Sequence, residues 1–253
     1  MAFRRHAVAL AVTLLLLAIP AAAQPGRPAP KPARWTISVS GGAQAAASGV
    51  ADHFTFPKNV ETETIDVTYP MKPWVVVDVG AGYRVWRNLG LGVAVSRATG
   101  NGTADVSASV PHPFFFNQPR TVTGTESGIA HAETGVHLQF QYLVPSTGHL
   151  QVVLAAGPSW VTVDHEVVTD ITIAESYPYD TATFAGAVTR LSKRSAAGFN
   201  AGVDLAWMFA RNLGVGGMVR YTRADLDLSV ADGRALGMKA GGVQGGVGVR
   251  VRF

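Results

Sequence analysis

The chain contains no cysteine among its 253 residues, and charged residues make up only 15% of it. The absence of cysteine excludes disulfide scaffolds, thiolate metal sites, cysteine nucleophiles and lipid attachment through cysteine. Low charge together with 47% hydrophobic residues disfavours an intrinsically disordered chain. The 28 glycines, well above the usual share of about 7%, disfavour helical folds because glycine weakens helix interiors.

Long apolar runs are also missing, except at the N-terminus. There Arg4 and Arg5 precede an apolar segment over 7–19 that Pro20 ends, followed by the small residues 21–23. A transmembrane anchor would need about 20 apolar residues, so residues 1–23 are predicted to be a cleaved secretory signal peptide. Residues 24–33 are predicted to be a Pro-rich leader, and residues 34–253 one domain.

The mature domain is predicted to contain no membrane helix and to bind no nucleic acid. Asp78, Glu133, Asp204 or repeated glycines interrupt each apolar stretch after residue 23. Cleavage would remove two arginines and no acids, which lowers the formal net charge from +4 to +2. No run of basic residues with interleaved aromatics remains to suggest a nucleic-acid surface.

A period-2 alternation recurs along the mature chain, and this period indicates strands with two different faces. In Ala130–Val144, one face carries polar residues such as His131, Glu133 and His137, and the other carries aliphatic and aromatic ones. Many segments are longer than the usual five or six residues of a strand. The eight segments cover residues 35–40, 75–85, 89–96, 130–144, 150–163, 197–209, 213–221 and 243–253.

The connections alternate strictly between long and short. The short ones are 86–88, 145–149 and 210–212, and the long ones are roughly 48–73, 97–129, 164–195 and 223–238. An up-and-down sheet would place the short turns at one end and the long loops at the other, as in outer-membrane barrels. The predicted fold is all-β: an eight-stranded antiparallel up-and-down transmembrane β-barrel with short periplasmic turns and long extracellular loops.

The two faces predict different surroundings. Aromatic residues on the apolar face lie near strand ends, as in an interfacial girdle: Tyr83, Tyr142, Trp160, Trp207, Phe209 and Tyr221. The polar face carries both signs of charge, which would pair inside a narrow lumen: Asp78, Arg84, His131, Glu133, Asp204, Arg220 and Arg250. The alternative is a soluble sheet on which these charges are solvated.

The last strand carries a recognisable ending. Val247, Val249 and Val251 alternate with small or basic residues up to Phe253. This ending resembles the C-terminal strand of bacterial outer-membrane β-barrels, and the whole mature chain resembles small OmpA/OmpX-type barrels in architecture. The resemblance implies that these four residues are an assembly signal read by the barrel-assembly machinery, and that the protein is located in the outer membrane.

No catalytic motif and no cofactor site are predicted. His131, Glu133 and His137 share a face and could bind a metal, but a hydrogen-bond network in the lumen is the simpler interpretation. Residues 164–166, an Asp-His-Glu run, are interpreted as solvated loop residues. No spacing selects a nucleophile among Ser159, Ser195 and Ser229, and the cluster 111–116 with three phenylalanines is either a packed loop cap or a contact surface.

These observations predict a non-enzymatic integral outer-membrane protein with a plugged lumen and a structural or surface-interaction role. Its expected contacts are outer-membrane lipid and lipopolysaccharide. A narrow channel for small or hydrophobic solutes is the alternative, and a lipid-modifying hydrolase or a periplasmic ligand carrier is a weaker one. The sequence leaves the oligomeric state open.

Overall fold

The structure, a computed structural model, describes residues 33–46, 49–146, 148–230 and 234–253. The predicted signal peptide and all but the last residue of the predicted leader lie outside these residues. Within them no helix is long and apolar enough to cross a membrane. The strands are β1 (Trp35–Ala46), β2 (Val50–Lys58), β3 (Glu61–Tyr69), β4 (Trp74–Trp86), β5 (Leu89–Val110), β6 (Arg120–Val144), β7 (Leu150–Glu175), β8 (Ala182–Trp207), β9 (Leu213–Ser229) and β10 (Ala235–Arg252).

Eight of the strands form a closed ring. Each of β5 to β9 pairs antiparallel with the strand before it and the strand after it, and β1 pairs antiparallel with both β4 and β10. The predicted antiparallel up-and-down architecture is therefore confirmed, and a closed ring leaves none of these eight strands with an unpaired edge at the level of the ring.

The register around the ring defines the shear of the barrel. Successive paired residues run from Trp35 through Tyr83, Leu91, Phe140, Ala156, Ala201, Tyr221 and Val243 back to Ala45. The path returns to β1 ten residues further along (45 − 35), so the barrel has eight strands and a shear of ten. Strands in such barrels are tilted by about 35–45° from the axis, and the interior is just wide enough for side chains to fill.

The long segments predicted as loops are mostly strand. Within these segments, only residues 111–119 separate β5 from β6, and only residues 176–181 separate β7 from β8. In segment 48–73, β2 and β3 pair with each other and β3 continues onto β5, which extends the β1–β4 hairpin. The four segments predicted as long connections are therefore mostly paired backbone, because the strands continue well past the apolar belt.

The outward and inward faces exchange their chemistry along each long strand. On β5 the outward residues change from Val93 and Val95 to Arg97 and Thr99, while inward positions change from glycine to buried residues such as Val106. On β9 the outward Tyr221 is followed by Arg223. The turn-end half is therefore apolar outside and polar inside, and the loop-end half is the reverse.

The two halves bury different cores. The loop-end half has an apolar core to which β2, β3, β5, β6, β7, β9 and β10 contribute, including Phe54, Ile65, Val106, Leu228 and Leu236. The turn-end half exposes a continuous belt of aliphatic side chains. An exposed apolar surface of this extent marks contact with a membrane or another protein, and its position around a closed barrel matches the lipid-facing band of membrane barrels.

Candidate functional site in the barrel lumen

The lumen of the turn-end half is filled by two ion pairs. Arg220 Nη1 donates to Asp78 Oδ2 at 2.6 Å, and both side chains are less than 10% exposed. Arg250 donates through Nε and Nη2 to both oxygens of Asp204, at 2.5–3.1 Å, and through Nη1 to Ser40 Oγ at 2.9 Å. The side chains of β4, β8, β9 and β10 thus meet across the barrel and obstruct it.

Strand β6 contributes an inward polar side chain at nearly every level of the lumen. From the turn end upward these residues are Gln141, Gln139, His137, Glu133 and His131. Gln139 Nε2 donates to the side-chain oxygen of Asn200 at 3.2 Å. Polar side chains of this strand therefore project into the lumen from the level of Gln141 to that of His131.

His137 is fully buried between two serines. Its Nε2 lies 2.9 Å from Ser96 Oγ, and its Nδ1 lies 2.8 Å from Ser159 Oγ. Asn200 Nδ2 also donates to Ser159 Oγ at 2.8 Å. A histidine bonded to two hydroxyls could in principle activate one of them, but His137 has no exposed surface. The arrangement therefore satisfies buried polar groups, as such groups require.

Glu133 is the centre of the next level. Its Oε2 accepts hydrogen bonds from Gln44 Nε2 at 2.6 Å and from the backbone N–H of Gly241 at 2.9 Å. Its Oε1 lies 3.1 Å from His131 Nε2. Gln244 Nε2 donates to Gln44 Oε1 at 2.7 Å, so residues of three strands, β1, β6 and β10, surround one buried carboxylate.

The backbone conformation at Gly241 requires glycine. Its φ of 92° lies in the left-handed region, and a Cβ there would collide with the carbonyl oxygen of Thr222. Glycine adopts this conformation without the steric cost that other residues incur. The backbone N–H that Glu133 accepts therefore depends on glycine at this position.

A pair of imidazoles closes the polar lumen beneath the apolar core. His131 Nδ1 lies 3.1 Å from His165 Nδ1, and the indole of Trp74 stacks on the His131 ring at 4.9 Å. Tyr69 packs edge-on against His165 and accepts the N–H of Val168 at its hydroxyl, at 2.7 Å. These rings join the polar lumen to the apolar core above it.

Two of these groups lie above the apolar belt and have shifted pKa values. Burial, aided by repulsion from His131, lowers the pKa of His165 to about 3. Burial raises the pKa of Tyr69 to about 12. His165 is thus a neutral imidazole at ordinary pH, which corrects the interpretation of 164–166 as solvated loop residues: His165 is 2% exposed and lies on β7, since the strand continues to Glu175.

The structure brings most of the predicted charged lumen residues together. Asp78 with Arg220, Asp204 with Arg250, and His131 with Glu133 form the contacts described above. Arg84 lines a cavity at the turn-end mouth, and its Nε is buried with no hydrogen-bond partner among the described residues. Across those residues, no group of three or more His, Asp or Glu side chains is arranged to hold a metal ion.

The predicted girdle aromatics lie on the outside of the barrel. Tyr83 is half-buried against Trp35, with ring centroids 4.8 Å apart. The others expose more than a third of their surface: Tyr142, Trp160, Trp207, Phe209 and Tyr221.

The four residues of the predicted assembly signal lie at the end of the chain. Val247, Val249 and Val251 point away from the lumen on β10, and the backbone carbonyl of Phe253 accepts from Trp35 N at 2.8 Å. Whether any machinery reads these residues stays a prediction.

Sequence reasoning missed several residues that complete the site. Gln44, Gln244, Ser96 and Asn200 are polar and lie at inward positions of predicted or extended strands. Their alternation with outward apolar residues was a usable signal for Ser96 and Asn200. The hydrogen bonds from Gln44 to Glu133 and from Gln244 to Gln44 depend on the register between strands distant in sequence, which no local pattern contains.

The tips of three loop-end hairpins are joined into one surface, called here the aromatic tip. Arg120 donates to Glu175 Oε2 and to the carbonyl oxygens of Pro111 and Tyr179. Asn59 Nδ2 also donates to the Pro111 carbonyl, at 3.2 Å. The tip exposes the apolar side chains of Val60, Phe114, Phe115, Phe116 and Tyr177.

Neither a protein-family model nor a curated protein matches the sequence. Solved structures do match. The outer membrane protein OprG from Pseudomonas aeruginosa is 9% identical, with a TM-score of 0.50 over 87% of this chain and 96% of that one.

The chain has the fold of a small outer-membrane β-barrel. The outer membrane protease OmpT from Escherichia coli (7% identity, TM-score 0.49, 90% and 99% covered) and Neisserial surface protein A (11% identity, TM-score 0.47, 87% and 97% covered) are further matches. The likeness to OprG shows the barrel fold alone.

Proposed function

We propose that the protein is a non-enzymatic outer-membrane barrel with a closed lumen, which holds the aromatic tip above the membrane for contact with other molecules. The observation that carries this proposal is the obstruction of the lumen. Two ion pairs, the His137 cluster, the Glu133 cluster and an apolar core follow one another from the turn end to the loop end.

The height of the loop-end half supports a role at the surface. Strand β5 continues fifteen residues (110 − 95) past Val95, the last outward aliphatic residue of its belt. At a strand rise of about 3.3 Å per residue and a tilt of about 35–45°, this places its end roughly 35 Å above the belt. The aromatic tip thus stands clear of the hydrocarbon and is available to partners outside it.

The outer wall just above the belt supports contact with lipopolysaccharide. Arg97, Arg223 and Lys239 point outward there on β5, β9 and β10. Guanidinium and ammonium groups bind phosphate well, and lipid phosphates would lie at this level. Lipopolysaccharide and outer-membrane lipid are accordingly the proposed surroundings of the barrel wall.

A hydrolase is disfavoured by the burial of His137. The only Ser–His hydrogen bonds among the described residues join this histidine to Ser96 and Ser159, inside the lumen and away from lipid substrates. The narrow channel stays the second candidate, since it requires only that the side chains obstructing the lumen move.

Planar-bilayer recording tests the closed lumen. Folded wild-type protein, verified by heat-modifiable gel migration, is expected to give no stable unitary current above that of the bare bilayer. A variant with Arg250→Ala and Arg220→Ala shortens both obstructing arginines but is also expected to give no current, because the His137 cluster, the Glu133 cluster and the apolar core still block the lumen. Stable unitary currents from the wild type would contradict the proposal and favour the channel.

The aromatic tip is tested separately. Replacing Phe114, Phe115 and Phe116 by serine is expected to leave heat-modifiable migration unchanged, because these side chains are exposed. It should reduce the binding of whole cells to a hydrophobic surface. The matched control replaces Ser107, Ser109 and Thr121, which are exposed on β5 and β6 just below the tip, by asparagine. Equal binding by the two variants would contradict a role for the tip.

A further inference from the structure

The turn end of the barrel is strongly basic. Beyond the Asp204–Arg250 pair, the turn-end segments carry no acidic residue, and they carry the arginines Arg34, Arg84, Arg87, Arg211 and Arg252. The only acid of the sequence that the structure does not describe is Asp232. In the part of the chain that the structure describes, no carboxylate side chain forms an ion pair with these five arginines.

Two of them lie side by side at the mouth of the lumen, on the neighbouring strands β1 and β4. The Trp35–Tyr83 pairing of β1 with β4 is extended by a hydrogen bond from Arg84 N to Arg34 O of 2.8 Å, so that Arg34 lies directly opposite Arg84. Like charges directly opposite each other on neighbouring strands are destabilising. A bound anion between them would remove that cost.

A cavity of about 90 Å³ opens at this mouth. Both arginines line it, together with Gln139 and Gln141, and the Asp78–Arg220 and Asp204–Arg250 pairs lie at its inner side. By this measure a water molecule needs about 10–15 Å³, so the cavity can hold an anion with several oxygens. Its lining has four guanidinium groups and two carboxylates, a net charge of +2.

Arg84 supplies the polar atom that points to a ligand. Its Nε is buried and has no hydrogen-bond partner among the described residues. A buried donor without a partner destabilises the fold, and a charged donor does so more strongly. The planar fork of a guanidinium matches the oxygens of a phosphate in geometry and charge.

We propose that the turn-end mouth of the lumen binds a phosphate-type oxyanion between Arg34 and Arg84. The amides of Gln139 and Gln141 supply further donors. The oxyanion is either a free phosphate or the phosphate of a lipid headgroup from the leaflet at the turn end. The site does not depend on the role of the aromatic tip or on whether the lumen conducts.

Inorganic phosphate is the first probe. Wild-type protein folded in a neutral detergent is titrated with phosphate against chloride at matched ionic strength, and binding is measured by calorimetry and by the rise in thermal unfolding midpoint. We expect saturable binding in the wild type. A variant with Arg34→Gln and Arg84→Gln should bind at least tenfold more weakly. Without phosphate it should be no less stable than the wild type, because it lacks the like-charge pair.

The matched control is Arg190→Gln, which removes an exposed arginine at the loop end and should leave phosphate binding unchanged. Dihexanoyl phosphatidylglycerol, added below its micellar concentration, is the second probe. Binding of this lipid without binding of inorganic phosphate would identify a headgroup as the ligand, and binding of inorganic phosphate would identify the free ion. Absence of binding for both probes, or equal binding by the wild type and the double variant, would overturn the proposal.

Folding is checked independently of binding by heat-modifiable migration. If the double variant does not fold, the single variants Arg84→Lys and Arg84→Gln replace it. Arg84→Lys keeps the charge and should lose less affinity than Arg84→Gln. Equal affinity of these two variants and the wild type would likewise overturn the site.

Discussion

Asp78 and Arg220 form the most deeply buried pair of an arginine and a carboxylate among the described residues. Burying two charges costs desolvation energy, so such a pair adds little net stability, but removing one partner leaves a buried charge uncompensated. We expect Arg220→Met to lower the free energy of unfolding by about 3–5 kcal/mol. The double variant with Asp78→Leu and Arg220→Met should recover most of this loss, as measured by urea unfolding in detergent.

The exposed pair of Arg223 and Asp225 is the control for this cycle. Their side chains are 34% and 68% exposed, and exposed pairs contribute less than about 1 kcal/mol. Arg223→Met should therefore have little effect on urea unfolding. Additive losses in the Asp78 and Arg220 variants would show that the two side chains do not interact in the lumen.

His165 makes the stability of the loop-end half depend on pH. Its pKa of about 3 lies below the unfolded value of about 6.5, so between these pH values the opened state binds a proton that the native state does not. Stability is fully present above about pH 6.5 and is lost as the pH falls towards 3, by up to about 1.4 kcal/mol per pH unit. Hydrogen exchange of the Val168 amide, which Tyr69 accepts, measures this loss.

His165→Asn is the control for the pH dependence. Asparagine does not titrate, so the variant should not take up the proton that His165 binds on opening. The slope of its unfolding free energy against pH between 6.5 and 4 should therefore be smaller, by up to about 1.4 kcal/mol per pH unit. An unchanged slope would show that another group causes the acid sensitivity.

At the scale of the strand, the exchange of faces on β5 fixes the upper edge of the membrane. Val93 and Ser107 both point outward on this strand, the first within the apolar belt and the second above it. An arginine facing lipid near the midplane costs about 2–4 kcal/mol, and one in water costs almost nothing. We expect Val93→Arg to lose about that much unfolding free energy and Ser107→Arg to lose less than about 0.5 kcal/mol.

Reversible unfolding in lipid vesicles measures both variants under identical conditions. Since the strand, the face and the new residue are the same, only the surroundings differ between them. Equal losses for the two variants would contradict a membrane edge between Val95 and Arg97.

The strands were predictable because a period of two is a local property, but their lengths were not. On β9 the alternation continues through Asp225, Leu226, Asp227 and Leu228 with the polar and apolar faces exchanged. A search for one apolar outward face ends at Tyr221, which is why 223–238 was predicted as loop. The alternation itself was a sufficient signal for a strand. The segment was predicted as loop because its outward residues are polar and its inward residues apolar, the reverse of the order in the rest of the strand.

The lumen site was only partly predictable for a related reason. Asp78 and Arg220 could be assigned to the inside from their own strands. Their pairing across 142 residues follows from the register of the ring. His165 was assigned to solvent because its neighbours Asp164 and Glu166 are charged, yet in a loop-end strand the charged neighbours face outward and the residue between them is buried.

At the scale of the molecule, the shear of ten and the filled lumen are connected. An eight-stranded ring encloses a space that side chains can fill. This chain fills it with arginine, glutamine and histidine side chains at the turn end and with aliphatic ones at the loop end. The same barrel that presents the aromatic tip therefore leaves its turn-end mouth as a small basic cavity.

Closure of the ring between β1 and β10 is testable because the chain has no native cysteine. Val39 pairs with Val249 on β10, and Val249 pairs with Val215 on β9. Neighbouring strands lie about 4.8 Å apart, and a disulfide needs Cα atoms about 4.4–6.8 Å apart. Val39→Cys with Val249→Cys should therefore cross-link under mild oxidation. Val39→Cys with Val215→Cys, two strands apart, should not.

The cross-linked form should keep its compact gel migration on heating, because the disulfide joins the first and last strands of the ring. Equal cross-linking in both variants, or none in the first, would contradict a closed ring of this register.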